Sequence, residues 1–272
     1  MLASPCPWPS SWAMRSNRNH AGVKTRLDVV WIGPFVLMLS VVLLCPATAR
    51  ADWIAEGLLG VAHTQSSTID LTLPGQGTQL ALSGVAYRGE AFRSPQYYSV
   101  RGTWVPRGHR WMGIEGEWIH AKVYAEVDRS VHAQGSLRGA PIDAAIPLSS
   151  IVDRISMSHG LNFVLANFSV RHGFGPSDAR GAHRIVAVAR AGAGPTVPHA
   201  ESHIDNEYFE QYESGGLGVQ VGGGVEFMLW RGVGAVSEYK YTRASPEIGV
   251  AGGQAKVPSR THHFAFGVQY HF

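Results

Sequence analysis

Hydrophobic and polar positions alternate without a break over the last ten residues of the chain. Side chains on a β-strand point to opposite faces with a period of two, so this segment predicts a strand with one apolar face and one small or polar face. A strand of this kind suits a membrane barrel, in which lipid lies outside and a polar lumen lies inside. The residues on the apolar face are Phe264, Phe266, Val268, Tyr270 and Phe272.

Seven other segments alternate in a similar way, and each approaches the roughly nine to eleven residues that a tilted strand needs to cross a bilayer. Long connections alternate with shorter ones, which is the arrangement of external loops and periplasmic turns in outer-membrane barrels. The sequence therefore predicts an all-β fold, an eight-stranded antiparallel up-and-down transmembrane β-barrel with long extracellular loops. The predicted strands are 53–63, 97–105, 111–127, 161–172, 185–197, 216–230, 233–242 and 263–272, and the long connections are 64–96, 128–160, 198–215 and 243–260.

The segment 1–51 has the features of a secretory signal peptide. A basic region precedes an apolar run at 29–45, and Ala49-Arg50-Ala51 matches the A-x-A cleavage pattern. We expect cleavage there and a single outer-membrane barrel domain at 52–272, with an uncleaved membrane anchor as the alternative. Both cysteines of the chain lie in this segment, which excludes a disulfide scaffold and a thiol nucleophile from the predicted mature chain.

The charge balance argues against a nucleic-acid partner. The predicted signal peptide carries five of the 23 Lys and Arg residues and one of the 20 Asp and Glu residues. The basic character of the whole chain is therefore largely a property of this segment, and the predicted mature chain is close to neutral.

Many of the strand residues that are predicted to face the lumen are charged. Eight strands enclose an interior that side chains can fill, which disfavours an open pore. Buried charges are tolerated when they are paired and hydrogen-bonded, so we expect a salt-bridged network across the lumen. The predicted inward charges are Glu56, Arg101, Glu115, Glu117, Arg171, Arg190, Glu226, Glu238 and Lys240.

The candidate site with the most distinctive residue spacing follows the fifth predicted strand. If that strand continues past the membrane, His199, Glu201 and His203 share one face because they are two residues apart. Two imidazoles and a carboxylate suit iron, zinc or copper, whereas solvated loop histidines are the other interpretation. His120 and His159 could add ligands from neighbouring strands, although strict alternation faces His120 outward unless a bulge intervenes.

Five short segments near the outer ends of the predicted strands resemble the lipid A oxidase family, small outer-membrane barrels of bacteria such as rhizobia. The final strand likewise resembles the closing strand of Gram-negative outer-membrane barrels, which the barrel-assembly machinery reads. The similarity extends over most of the predicted mature chain. The five segments are SPQYYSVR at 94–101, HAKVY at 120–124, MSHGLN at 157–162, GAGPTVPHAE at 192–201 and EYKY at 238–241.

The resemblance implies oxygen-dependent oxidation of the proximal glucosamine of lipid A to an aminogluconate unit. The partner would be the lipopolysaccharide of a Gram-negative outer membrane. Because no flavin or nicotinamide domain fits in the predicted barrel, this chemistry would need a divalent metal ion or another group besides molecular oxygen. The resemblance points to His120, Lys122 and His159 as catalytic residues, with Lys122 meeting a lipid A phosphate. Metal ligands would come from His199, Glu201, His203 and His159.

Two other functions stay open. Barrel-type lipid A deacylases carry a His-x-Ser pair on one strand face, and no such pair occurs at the outer end of a predicted strand. Ser158 and His159 are adjacent, so a regular strand would point them to opposite faces. A non-enzymatic OmpA-like barrel, which stabilises the envelope or offers its loops to a partner, also fits the long loops.

Overall fold

The structure is a computed structural model that describes residues 51–178 and 182–272. Apart from Ala51, the predicted signal peptide lies outside the described residues, so its cleavage and the domain boundary at residue 52 stay predictions. No helix within the described ranges is long and apolar enough to cross a membrane. In chain order the strands are β1 (Ala51–Thr64), β2 (Ser67–Leu73), β3 (Thr78–Val85), β4 (Tyr87–Arg88), β5 (Tyr98–Pro106), β6 (Met112–Ala125), β7 (Ser130–Leu137), β8 (Ala140–Pro147), β9 (Arg154–Ser177), β10 (His183–Ile204), β11 (Glu207–Tyr212), β12 (Leu217–Trp230), β13 (Val233–Ala244), β14 (Glu247–Val250), β15 (Gly253–Lys256) and β16 (Ser259–His271).

Eight of these strands close into an antiparallel barrel. β1 pairs with β5, and the pairing continues through β6, β9, β10, β12 and β13 to β16, which returns to β1. This confirms the predicted fold, and most strand bounds lie within a few residues of the predicted ones. The exceptions are β9 and β10, which extend further at the outer end: β9 begins at Arg154 and β10 ends at Ile204.

The outer wall of the barrel is apolar. On β16, Phe266 and Val268 are each 65% exposed, whereas Ala265 and Gln269 on the inward parity are buried. A similar alternation recurs on the neighbouring wall strands. An apolar exterior around a polar interior is stable in a lipid bilayer, and a closed antiparallel barrel of this kind is a protein of the Gram-negative outer membrane.

A buried ionic network fills the lumen, as predicted. Arg101 lies within it: Nε donates to Glu56 Oε2 at 2.9 Å, and Nη2 donates to Glu238 Oε2 at 2.8 Å. Arg190 Nε donates to Glu115 Oε2 at 2.9 Å, and Arg190 also pairs with Glu238. All nine charged residues that the sequence predicts to face inward are buried, so the lumen is a packed polar core.

The predicted external loops contain more regular structure than the sequence indicates. β14, β15, β2, β3, β7 and β8 form a six-stranded antiparallel sheet in that order. Its alternating apolar residues, such as Leu71, Leu82 and Val131, are buried in one cluster with Leu161 and Ile204 of the barrel. Each loop contributes an apolar strand face that it cannot bury alone, and three loops together can bury all of them. The remaining long loop contributes β11, which pairs with the outer part of β10.

Candidate functional site

The candidate residues lie on the outward side of the wall, where β9 and β10 extend beyond its apolar band. On β9 the outward positions Phe168 and Val164 are followed by Asn162, and on β10 Val197 is followed by His199. Asn162 pairs with Val197, and His199 is the next outward position on β10, so the change from apolar to polar residues on the two strands differs by one outward position. The parts of β9 and β10 beyond that change therefore lie outside the membrane, next to the lipid headgroups.

A bulge in β9 brings adjacent residues to the same side. Between Met157 and Leu161, the pairing of β9 slips by two residues against both of its neighbours. Gly160 in this segment has φ +93°, a left-handed conformation that favours glycine. Ser158 Oγ lies 3.3 Å from His159 Nδ1. The expectation that these two side chains face opposite ways is wrong, because the bulge turns the backbone between them.

Three potential metal ligands meet at this bulge, and we call them the outer-wall cluster: His159, His199 and Glu210. Among the described residues, their possible ligand atoms all lie within 4.8 Å of one another. The two Nδ1 atoms are 3.3 Å apart, and His199 Nε2 lies 3.4 Å from Glu210 Oε1. Glu210 comes from β11, where Tyr212 faces His199. The Tyr208 hydroxyl donates to Glu210 Oε2 at 2.7 Å.

The three residues predicted to share a metal lie on one face of β10 but have separate partners. Glu201 forms an ion pair with Arg154, and His203 Nδ1 lies 3.2 Å from Asp153 Oδ2. Of the three, only His199 belongs to the outer-wall cluster. Residues two apart on a strand are separated by roughly 6.5 Å, so partners across strands reach ligand distance more easily. A metal-binding role for Glu201 and His203 stays a prediction.

Asn162 connects the bulge to His120. Its Nδ2 donates to two carbonyl oxygens of the bulge, each at 3.3 Å, and to the carbonyl of Val197 at 2.9 Å. His120 Nδ1 lies 2.8 Å from Asn162 Oδ1, and the His120 ring stacks on Tyr98 with centroids 4.9 Å apart. His120 occupies an outward-facing position of β6, but its side chain is buried. Its Nε2 has no hydrogen-bond partner among the described residues.

Lys122 lies two residues further along β6 and holds a covering segment. Its Nζ donates to the carbonyl oxygens of Arg93 and Ser94, both at 3.2 Å. The side chain is buried, and no carboxylate forms an ion pair with it within the described part of the chain. The chain between β4 and β5 therefore folds over this part of β6. Contact of Lys122 with a lipid phosphate stays a prediction.

Burial and neighbouring charges determine the protonation of the extramembrane residues. Burial lowers the pKa of His199, and the nearby His159 lowers it further. Burial alone would raise the pKa of Glu201, but hydrogen bonds from Arg154 and Ser158 outweigh this effect and lower it. At neutral pH, His199 is therefore largely neutral and offers a lone pair, while Glu201 is ionised.

The site geometry is compatible with two kinds of chemistry. Two imidazoles and a carboxylate that converge from three strands are a ligand set for a transition metal. A second chain of contacts runs from Ser158 Oγ to His199 Nδ1, at 3.2 Å, and from His199 Nε2 to Glu210 Oε1. That is the order of nucleophile, base and orienting carboxylate in a serine hydrolase.

Sequence reasoning missed Glu210 and Asn162 as site residues. Glu210 lies in the predicted loop 198–215, and the aromatic residues Tyr208, Phe209 and Tyr212, which favour strands, were the available signal for a further strand. Asn162 is within a segment of the resemblance, but its hydrogen bonds depend on the bulge, which the alternation does not predict.

No protein-family model matches the chain, and no curated protein matches it in sequence. Several solved outer-membrane structures are similar to it. The attachment invasion locus protein Ail of Yersinia pestis is 11% identical with a TM-score of 0.36, over 83% of this chain and 100% of Ail. OprG from Pseudomonas aeruginosa is 13% identical with a TM-score of 0.41, over 82% of this chain and 97% of OprG. The outer membrane protease OmpT from Escherichia coli is 9% identical with a TM-score of 0.39, over 83% of this chain and 98% of OmpT. At this level of similarity, these structures carry no information about the outer-wall cluster.

Proposed function

We propose that this protein is an outer-membrane enzyme that oxidises the proximal glucosamine of lipid A. The observation that supports the proposal is the position of the outer-wall cluster, which faces outward directly beyond the apolar band. A lipid of the outer leaflet presents its sugars at this level while its acyl chains contact the wall below. A site in this position suits a substrate that stays in the membrane.

Oxidation of a free anomeric centre balances with molecular oxygen as the only oxidant. The anomeric carbon loses a hydride, which carries two electrons, and its hydroxyl group loses a proton. Oxygen takes up the two electrons and two protons as hydrogen peroxide, and water then opens the lactone to the acid. The lipid gains one oxygen atom in total. In this proposal the unpartnered Nε2 of His120 accepts the hydroxyl proton, and Lys122 contacts a phosphate of the substrate. Both side chains are buried, so substrate binding has to expose them.

Hydrolysis of an acyl chain from the same lipid is a second candidate. The contacts of Ser158 with both histidines of the outer-wall cluster favour it. Here Ser158 would be the nucleophile, His199 the base and Glu210 the group that orients the base. Hydrolysis needs the Ser158 hydroxyl, whereas the oxidation does not. The substitution Ser158→Ala therefore distinguishes the two candidate functions.

The test is mass spectrometry of lipid A from an outer membrane in which the protein is newly expressed. The cells must be aerated, and their lipid A must carry a free anomeric hydroxyl. We expect a gain of one oxygen on the proximal sugar, which is lost in His199→Ala and retained in Ser158→Ala. His203→Ala is the matched control on the same strand face, and the heat-modifiable migration of each variant on a gel reports its folding.

Two results would overturn the oxidase proposal. Loss of an acyl chain that depends on Ser158 would replace it with the hydrolase. Unchanged lipid A in the presence of the folded protein would leave the OmpA-like structural or interaction barrel, which is indifferent to all three substitutions.

A further inference from the structure

We infer that His159, His199 and Glu210 bind one divalent transition-metal ion on the outer wall of the barrel. The site would have two histidines, one carboxylate and open positions that face outward. The inference deepens the proposed function by naming its metal centre, and it rests on that function only for the identity of the substrate. Binding of the ion itself can be measured without any lipid.

The distances within the cluster suit ligands of a single ion. Two nitrogen ligands, each about 2.1 Å from an ion, are about 3.4 Å apart at a tetrahedral angle. The Nδ1 atoms of His159 and His199 are 3.3 Å apart. Glu210 Oε1 lies 3.4 Å from the other ring nitrogen of His199, Nε2. One possible ligand atom from each of His159, His199 and Glu210 lies within 4.8 Å of the other two, so the three residues can surround one cation.

The charges around the cluster also favour a cation. Glu210 lies directly opposite Glu201 in the pairing of β10 with β11. Like charges in opposite positions destabilise a sheet. Arg154 neutralises Glu201, whereas no Lys or Arg forms an ion pair with Glu210 among the described residues. An ion held by the outer-wall cluster would compensate the charge of Glu210.

The ligands are positioned by contacts that do not involve an ion. Asn162 holds the bulge that carries His159, and the Tyr208 hydroxyl donates to Glu210. Outer contacts of this kind orient ligands in metal sites. His199 is buried, while His159 and Glu210 are exposed, so the remaining coordination positions face away from the wall. Two histidines, one carboxylate and open positions are the ligand set of non-haem iron(II) oxygenases, and iron(II) is the ion we expect.

The experiment is a titration of the folded, full-length barrel in detergent micelles, after treatment with a chelator. Cobalt(II) is the spectroscopic probe, because its visible absorption reports nitrogen and oxygen ligands, and anaerobic iron(II) binding is measured in parallel. We expect one equivalent of ion per chain. His159→Ala and Glu210→Gln should weaken binding by more than roughly 100-fold, the upper end of the loss caused by removing an outer contact.

Two variants provide matched controls: His203→Ala removes a histidine from the same face of β10, and Glu207→Gln removes a carboxylate from the same strand as Glu210. Both should retain the affinity of the unmodified protein. Absence of binding to the folded protein would overturn the inference. Binding that is lost in His203→Ala and unchanged in His159→Ala would overturn it in favour of the trio His199, Glu201 and His203.

Failure of this inference can be distinguished from failure of the proposed function. If cobalt binds as expected and lipid A is unchanged in the outer membrane, the metal site stands and the oxidase proposal fails. If lipid A gains oxygen and the chelated protein binds no ion, the oxidase stands and the metal site fails.

Discussion

His120 Nδ1 and Asn162 Oδ1 lie 2.8 Å apart on the outer wall of the barrel. Through the same side chain, Asn162 also holds two carbonyl groups of the β9 bulge. One amide therefore links the strand that carries His120 and Lys122 to the segment that carries Ser158 and His159. Asn162 is a positioning residue, because it acts on the candidate site through the groups that it holds.

Replacement of Asn162 should affect the site more than the barrel. In Asn162→Ala, the bulge carbonyls and His120 Nδ1 lose their partner, at a cost of about 1–3 kcal/mol in the free energy of unfolding. The affinity for cobalt(II) should fall by about 10-fold as the bulge loosens. Asn167→Ala is the control: it lies on the same strand, and its side chain donates to Glu117 in the lumen. That variant should lose stability and keep its affinity, and equal affinities of the two variants would contradict the positioning role.

Gly160 should not accept a side chain. Its φ is +93°, and a Cβ atom there would lie 2.6 Å from His120 Nδ1. Gly160→Ala should therefore cost about 1–3 kcal/mol in the free energy of unfolding and displace either the bulge or the His120 ring. The comparison is Gly216→Ala, where φ is +75° and a Cβ would meet nothing within 4 Å. Thermal unfolding of both variants separates backbone strain from the clash, and identical losses would show that the clash has no cost.

Removal of one partner from the lumen network should destabilise the whole barrel. Arg101 contacts Glu56, Glu117 and Glu238, and all of these groups are buried. Arg101→Met leaves uncompensated buried carboxylates, and we expect a loss of about 3–5 kcal/mol in the free energy of unfolding. Arg243→Met, an exposed position on β13, is the control. Denaturant unfolding in micelles measures both, and similar stabilities would argue that the network is solvated.

His199 should contribute to the pH dependence of stability. Its pKa in the folded protein is below the ordinary value of 6.5, so the unfolded chain binds more protons at this position. The stabilising contribution is complete above pH 6.5, and it is lost as the pH falls from there through the folded-state pKa. Thermal unfolding of the metal-free protein between neutral and mildly acidic pH should therefore show a smaller decline in His199→Gln than in the unmodified protein. Parallel curves would contradict this.

The alternation of side chains along the chain is sufficient to predict the barrel. Alternation can be recognised within a segment of about ten residues. Residues that face lipid must be apolar, whereas residues that face the packed lumen can be polar, so the two faces of each strand differ in composition. The strands and the nine inward charges, from Glu56 to Lys240, could therefore be predicted before any pairing was known. The apolar strands in the long loops carried the same local signal, but their shared sheet depends on contacts among three separate loops.

The identity of the residues that meet at the candidate site depends on contacts between strands. His159 and His199 are 40 positions apart, and their contact depends on a bulge that shifts the register of β9 against both neighbours. Glu210 joins them because β11 folds back along β10. Register is a relation between strands and not a property of either one, and a shift of one residue moves every side chain to the other face. The spacing of His199, Glu201 and His203 therefore predicted the correct part of β10. The pairing of β10 with β9 and β11 determines which residues form the outer-wall cluster.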